Sequence, residues 1–92
     1  MKTYGVFSFS SSHHAIAAEA VTASAVSGRL TEARLIPLPP EISAGCGLVL
    51  RVNEEGIKMA SRLLSEAEIP YTGIYLLKIE TNKRFVEKYD LS

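Results

Sequence analysis

The alanine-rich segment at residues 13–27 leaves this chain few ways to fold. Alanine is the strongest helix former, and its small side chain lets a helix lie close on a sheet. The serines before it, Ser10–Ser12, offer an N-cap, and Gly28 is a natural stop. Residues 3–9 are rich in aromatic and β-branched side chains, which are typical of a strand. The segment therefore predicts a helix that packs on the strand preceding it.

The rest of the sequence predicts a second helix and three more strands. Asn53 is a predicted N-cap, with Glu54 and Glu55 in the first turn, and apolar residues share one helix face until Pro70 ends the helix. Pro37 indicates an edge strand, because proline cannot donate to the hydrogen-bond ladder. The three further strands are predicted at residues 33–38, 47–52 and 71–78.

The order β-α-β-β-α-β predicts an α+β fold, a ferredoxin-like sandwich with two helices on one face of a four-stranded antiparallel sheet. Strands 1 and 3 are then neighbours, and the strand 1–helix 1 turn shares one end of the sheet with the strand 2–strand 3 loop. We expect residues 1–78 to form a single domain and residues 79–92 a polar C-terminal extension. Phe85, Val86 and Tyr89 would share one face if that extension were a short helix.

Composition narrows the classes of function. The 92 residues carry a formal net charge of zero, whereas nucleic-acid binding needs a basic surface. The one cysteine is too few for a disulfide or a zinc site built from several thiolates, and it favours a reducing, cytoplasmic location. The chain shows neither a signal peptide nor an apolar stretch long enough to span a membrane. We expect no metal and no cofactor.

The only cysteine, Cys46, lies between Gly45 and Gly47. The topology places its loop beside the N-terminus of helix 1, where the helix dipole is positive and favours a thiolate. This geometry predicts an exposed, nucleophilic sulfur. The alternative is a buried cysteine that acts as a small hydrophobic side chain. The residues expected beside the loop are Ser11, Ser12 and His13.

Two further pairs of residues are candidates for the site. His13 would supply a base, a cation or a metal ligand, or else it is solvated at the helix start. We expect His14 to be solvated. Arg34 faces Arg51 if the hairpin pairs in register, and two opposed cations need an anion or a carboxylate between them. They would contact an acidic ligand or partner, or else form a solvated pair offset by nearby glutamates.

The stretch RLIPLPPEISAGCGLVLR, residues 34–51, resembles a small bacterial family of unknown function that is described as selenium/sulfur carrier-like. The family pattern is R-L-I-P-x-P-x-x-I-S-x-x-C-G-x-x-L-R, and the resemblance extends over roughly residues 4–75. It implies a carrier, rather than a turnover enzyme, that holds a persulfide or selenosulfide on Cys46. A donor such as a cysteine desulfurase would load it, and an acceptor protein would receive the atom. Gly45, Gly47 and the small Ser43 would leave the loop open to both.

A non-catalytic regulatory or interaction module is the alternative. The sheet face without helices would be apolar, because it would present either Phe7 and Phe9 or Tyr4 and Val6, together with Tyr71 and Tyr75. Such a face favours self-association, for example as a homodimer. RNA binding through the sheet is disfavoured, because the third strand has no aromatic residue on which a base could stack.

Overall fold

The computed structural model describes residues 1–91, so Ser92, the last residue of the predicted extension, lies outside the described residues. It contains two α-helices and a five-stranded antiparallel sheet in the order β2-β3-β1-β4-β5. The predicted α+β class is confirmed, and the predicted number of strands is wrong by one. The elements are β1 (Lys2–Ser8), α1 (Ser12–Ser24), β2 (Ala33–Pro37), β3 (Leu48–Asn53), α2 (Ile57–Glu66), β4 (Gly73–Glu80) and β5 (Lys83–Lys88).

Helix α1 begins as the sequence indicates and ends earlier. Ser11 is the N-cap, and its Oγ accepts a hydrogen bond from the amide of His14 at 3.3 Å. The helix ends at Ser24, before the predicted stop at Gly28. Gly28 has φ +57° in the turn that pairs Ser27 with Leu30. Its left-handed conformation thus serves this turn rather than the end of the helix.

Asn53 does not cap the second helix in the way predicted. A 3-10 turn, Glu54–Gly56, separates it from α2. The Asn53 side chain instead accepts a hydrogen bond from the amide of Thr31 at 2.8 Å and donates one to the carbonyl of Arg29 at 2.6 Å. Asn53 therefore fixes the connection between α1 and β2 to the end of β3.

Both helices pack on the same face of the sheet, which we call the helix-covered face. Ala15 and Ala18 of α1 and Ala60 and Leu64 of α2 are fully buried there. Their small or aliphatic side chains let the helices approach the strands closely, and burial of the large side chains supplies most of the stability. The other buried members of this core are Phe7, Phe9, Leu30, Cys46, Leu50, Val52, Ile57 and Ile74.

The opposite face is covered by the loop between β2 and β3, so we call it the loop-covered face. Ile42 of that loop is only 3% exposed and packs in one cluster with Val6, Val49 and Leu77. The expected exposed apolar face is therefore not found over the middle of the sheet. Tyr71 is absent from this cluster: its ring packs edge-on against Phe7 in the helix-covered core, with centroids 5.1 Å apart.

The predicted short helix near the C-terminus is wrong, because residues 83–88 form the edge strand β5. β4 runs to Glu80, and Glu80 pairs with Lys83, so Thr81 and Asn82 make a tight hairpin turn. Val86 pairs with Leu77 and packs beside the cluster on the loop-covered face. β5 thus completes the sheet on the side away from β2.

Candidate functional site

The loop that carries Cys46 is closed at its base. The amide of Leu38 donates a hydrogen bond to the carbonyl of Gly47 at 2.9 Å, which extends the β2–β3 ladder by one step. Beyond it, the amide of Ile42 donates to the carbonyl of Pro39 at 3.0 Å and forms a turn. Residues 38–47 are therefore a closed hairpin loop with a stiff first half.

This loop spans the end of the sheet and contacts both faces. Ile42 is buried on the loop-covered face, whereas Cys46 belongs to the core of the helix-covered face. Only residues 43–46 lie between Ile42 and the closing bond at Gly47. The position of the sulfur therefore depends on anchors on both sides of the sheet.

The sulfur of Cys46 is buried, so the expectation of an exposed nucleophile is wrong for this conformation. The residue is 7% exposed. Its Sγ accepts a hydrogen bond from the amide of Leu48 at 3.4 Å and donates to the carbonyl of the same residue at 3.6 Å. Gly45 and Gly47 on either side are exposed, so the sulfur lies just beneath the surface. Burial follows from ordinary cysteine chemistry, since a free thiol packs well among aliphatic side chains.

The loop does lie beside the start of α1, as the predicted topology requires. A Cβ added at Gly45 would come within 2.8 Å of the carbonyl oxygen of Ser10, so only glycine fits at this approach. β1 and β3 are neighbours, with Ser8 opposite Val49. The strand 1–helix 1 turn and the Cys46 loop therefore meet at one end of the sheet.

The side chains at the helix start make no hydrogen bond to the sulfur within residues 1–91. The hydroxyl of Ser11 caps its own helix, and Ser12 and His13 are exposed. Within residues 1–91, no hydrogen bond joins Cys46 to Ser11, Ser12 or His13. The small exposed Ser43 lies earlier in the loop. Of the predicted neighbours, the fold thus brings the backbone of the turn, rather than its side chains, to the loop.

The structure separates the two histidines, and His14 is less exposed than expected. His13 is exposed, whereas His14 is partly buried, and its Nδ1 is buried without a hydrogen-bond partner among the described residues. The next residue, Ala15, is fully buried, so the inward face of α1 begins at these positions. Hydrophobic periodicity in an alanine-rich helix is weak, and therefore it could not tell the two apart.

Arg34 and Arg51 face each other across β2 and β3, as predicted. Arg51 is paired with a carboxylate, since Oε1 of Glu32 lies 2.9 Å from one of its guanidinium nitrogens, whereas Arg34 is exposed. Arg51 also stacks over the ring of Tyr4 at 4.3 Å. Arg51 pairs in register with Val6 of the loop-covered face, so these cations lie on the other side of the sheet from Cys46.

Sequence reasoning missed the contact between the loop and β5. Both carboxylate oxygens of Glu41 bind Arg84: Oε1 lies 3.2 Å from a terminal nitrogen, and Oε2 accepts from Nε at 3.2 Å. The available signals were the branched apolar side chain of Ile42 and, next to it, Glu41, the one charged residue of the loop. The strand that contacts this loop, β5, was however predicted to be part of the polar C-terminal extension.

Residues 1–91 contain no cluster of three or more histidine, cysteine, aspartate or glutamate side chains that could hold a metal ion. Among the same residues, neither helix is long and apolar enough to cross a membrane.

Fold and site together define a small α+β protein with a single thiol held beneath a hairpin loop at one end of its sheet. A family model described as "Putative Se/S carrier protein-like" matches residues 4–76. The chain belongs to this family, as the motif around Cys46 predicts. The match ends within β4, so β5 lies beyond it. Searches of curated proteins and of solved structures found no match.

Proposed function

We propose that this protein carries sulfur or selenium on Cys46, as a persulfide or selenosulfide, between a donor enzyme and an acceptor protein. The observation that supports it most is the family match, which includes the chain's only cysteine. The protein acts in the cytoplasm, and residues 1–78 supply a ferredoxin-like scaffold to which residues 79–92 are an addition.

The transfer is an exchange between a thiolate and a persulfide. The Cys46 thiolate attacks the terminal sulfur of a donor persulfide, R–S–SH. A new S–S bond forms at Cys46, the donor S–S bond breaks, and the donor leaves as the thiolate R–S⁻. No external oxidant or reductant is needed. The selenium reaction is the same exchange with R–S–SeH.

The contacts of Cys46 suit storage between two transfers. The backbone of Leu48 hydrogen-bonds Sγ through both its amide and its carbonyl, which fixes the position of the sulfur. Burial shields a bound persulfide from other thiols, which would otherwise remove the sulfur. Reaction with a partner requires the loop to move and expose the atom.

The test is to load the protein from a cysteine desulfurase with cysteine, and in parallel with selenocysteine. Peptide mass spectrometry should locate one added sulfur or selenium atom on the peptide that contains Cys46. Cys46→Ser should carry none after the same treatment. A wild-type chain with a free Cys46 and no adduct on that peptide would contradict the proposal.

A further inference from the structure

The Cys46 loop is held by contacts far from the sulfur. Its C-terminal end is fixed at Gly47 by the ladder bond from Leu38. Its first half is fixed by Ile42, which is buried, and by Glu41, which reaches across the sheet to Arg84. With both ends fixed, residues 43–46 have little slack to swing the sulfur out. Ile42 has to leave its cluster before a protein partner can reach Cys46, and the ion pair of the neighbouring Glu41 opposes that movement.

The Glu41–Arg84 ion pair is the anchor best suited to release. Its two side chains are 40% and 43% exposed, so water and salt compete for them. Ile42, in contrast, is held by burial of its side chain. The hydrogen bond from Leu38 to Gly47 is held by the regular backbone geometry of the β2–β3 ladder. An exposed ion pair is among the weakest contacts in a protein, and therefore it opens more easily than its neighbours.

We propose that the Glu41–Arg84 ion pair is a latch that keeps the Cys46 loop closed. Arg84 lies in β5, beyond the part of the chain that matches the family. The latch therefore uses a strand that lies outside the family match. Its biological purpose rests on the proposed function. Its effect on access to the sulfur does not, and can be measured without any sulfur transfer.

The experiment measures the rate at which iodoacetamide, a small neutral reagent, alkylates Cys46 in the folded full-length chain. Arg84→Ala and Glu41→Ala should each accelerate alkylation about two- to fivefold, the factor that corresponds to an exposed ion pair. The double variant should be no faster than either single variant, because both remove one interaction. Added salt should accelerate wild type and leave Arg84→Ala unchanged.

Two matched controls separate the latch from other causes. Lys83→Ala removes the same charge from the neighbouring position of β5 and should not change the rate. Glu32→Ala breaks the other ion pair on the same face, with Arg51, and should lower stability without accelerating alkylation.

Equal rates for wild type and Arg84→Ala would overturn the latch. So would an equal acceleration by Glu32→Ala, because alkylation would then follow global unfolding. Failure of sulfur loading with the latch effect intact would count against the carrier function alone.

Discussion

At the scale of single residues, the end of α2 contains a strained position. Glu68 has φ 59°, a left-handed backbone conformation that costs free energy for residues other than glycine. Its amide donates to the carbonyl of Ser65 at 3.1 Å, and the amide of Ile69 donates to that of Leu64 at 2.9 Å. This is the Schellman pattern of helix termination, in which glycine normally occupies the left-handed position.

Glu68→Gly should therefore raise the free energy of unfolding by about 1 kcal/mol, since it removes the strain of the side chain in this conformation. Urea denaturation monitored by circular dichroism measures the change. Glu68→Ala is the control. It removes the charge but retains a Cβ, so its free energy of unfolding should rise much less. An equal gain in both variants would show that charge, not conformation, is responsible.

The two glycines beside Cys46 are predicted to differ sharply. At Gly45 an added Cβ would lie 2.8 Å from the Ser10 carbonyl oxygen, whereas at Gly47 it would meet nothing within 4 Å among the described residues. Gly45→Ala should push the loop away from the turn, accelerate alkylation of Cys46 and cost about 1–3 kcal/mol of stability. Gly47→Ala should change stability by less than about 0.5 kcal/mol. Similar behaviour of both variants in alkylation and urea denaturation would contradict the packing described here.

The sequence could predict where Cys46 lies but not how deeply. Its position beside the turn after β1 follows from strand order, which depends on the pattern of whole elements. Burial depends on whether neighbouring side chains close over the sulfur. Ile42 and Arg84, which hold the loop down, are distant in sequence from each other, so local patterns did not connect them. The exposure of His13 and His14 likewise depends on neighbours that are distant in sequence, so the local pattern could not predict it.

At the scale of elements, both edges of the sheet are protected against pairing with another chain. In β2, Pro37 lacks a donor, and the amide of Leu35 donates to the Glu19 carboxylate of α1 at 3.0 Å. β5 has charged side chains along its length, and its Glu87 pairs with Lys78 of β4. These features disfavour association through the sheet edges.

Glu19→Ala should lower the free energy of unfolding by about 1 kcal/mol, because the Leu35 amide loses its acceptor and α1 loses a link to β2. Glu19→Gln retains an oxygen acceptor and should recover most of that loss. Urea denaturation compares the three proteins. If glutamine and alanine are equally destabilising, the hydrogen bond is not the source of the effect.

Element prediction succeeded where the pattern was strong. The serine cap, the run of alanines and Pro37 each predicted their element, and the structure agrees. β5 was missed because its turn, Thr81–Asn82, lacks the glycine that marks most two-residue hairpins. Among non-glycine residues 1–91, only Glu68 has positive φ, so this turn is also not one of the usual hairpin types. A strand closed by an atypical turn leaves no clear local signal.

At the scale of the whole molecule, the sheet separates two apolar clusters, and the Cys46 loop contributes to both. Ile42 belongs to one and Cys46 to the other. Antiparallel sheets commonly leave one face to solvent, and a loop that folds back onto that face cannot be read from strand patterns. This arrangement couples access to the sulfur with the packing of the loop on the opposite face.

The most direct test of the carrier function is whether Cys46 retains sulfur after its donor is gone. The chain is loaded with a cysteine desulfurase and cysteine, the enzyme is removed, and the intact mass is measured before and after reduction with dithiothreitol. We predict one extra sulfur atom on wild type, removed by reduction, and none on Cys46→Ala. A wild-type chain that retains no sulfur, although alkylation after unfolding shows that its Cys46 was a free thiol, would contradict the carrier function.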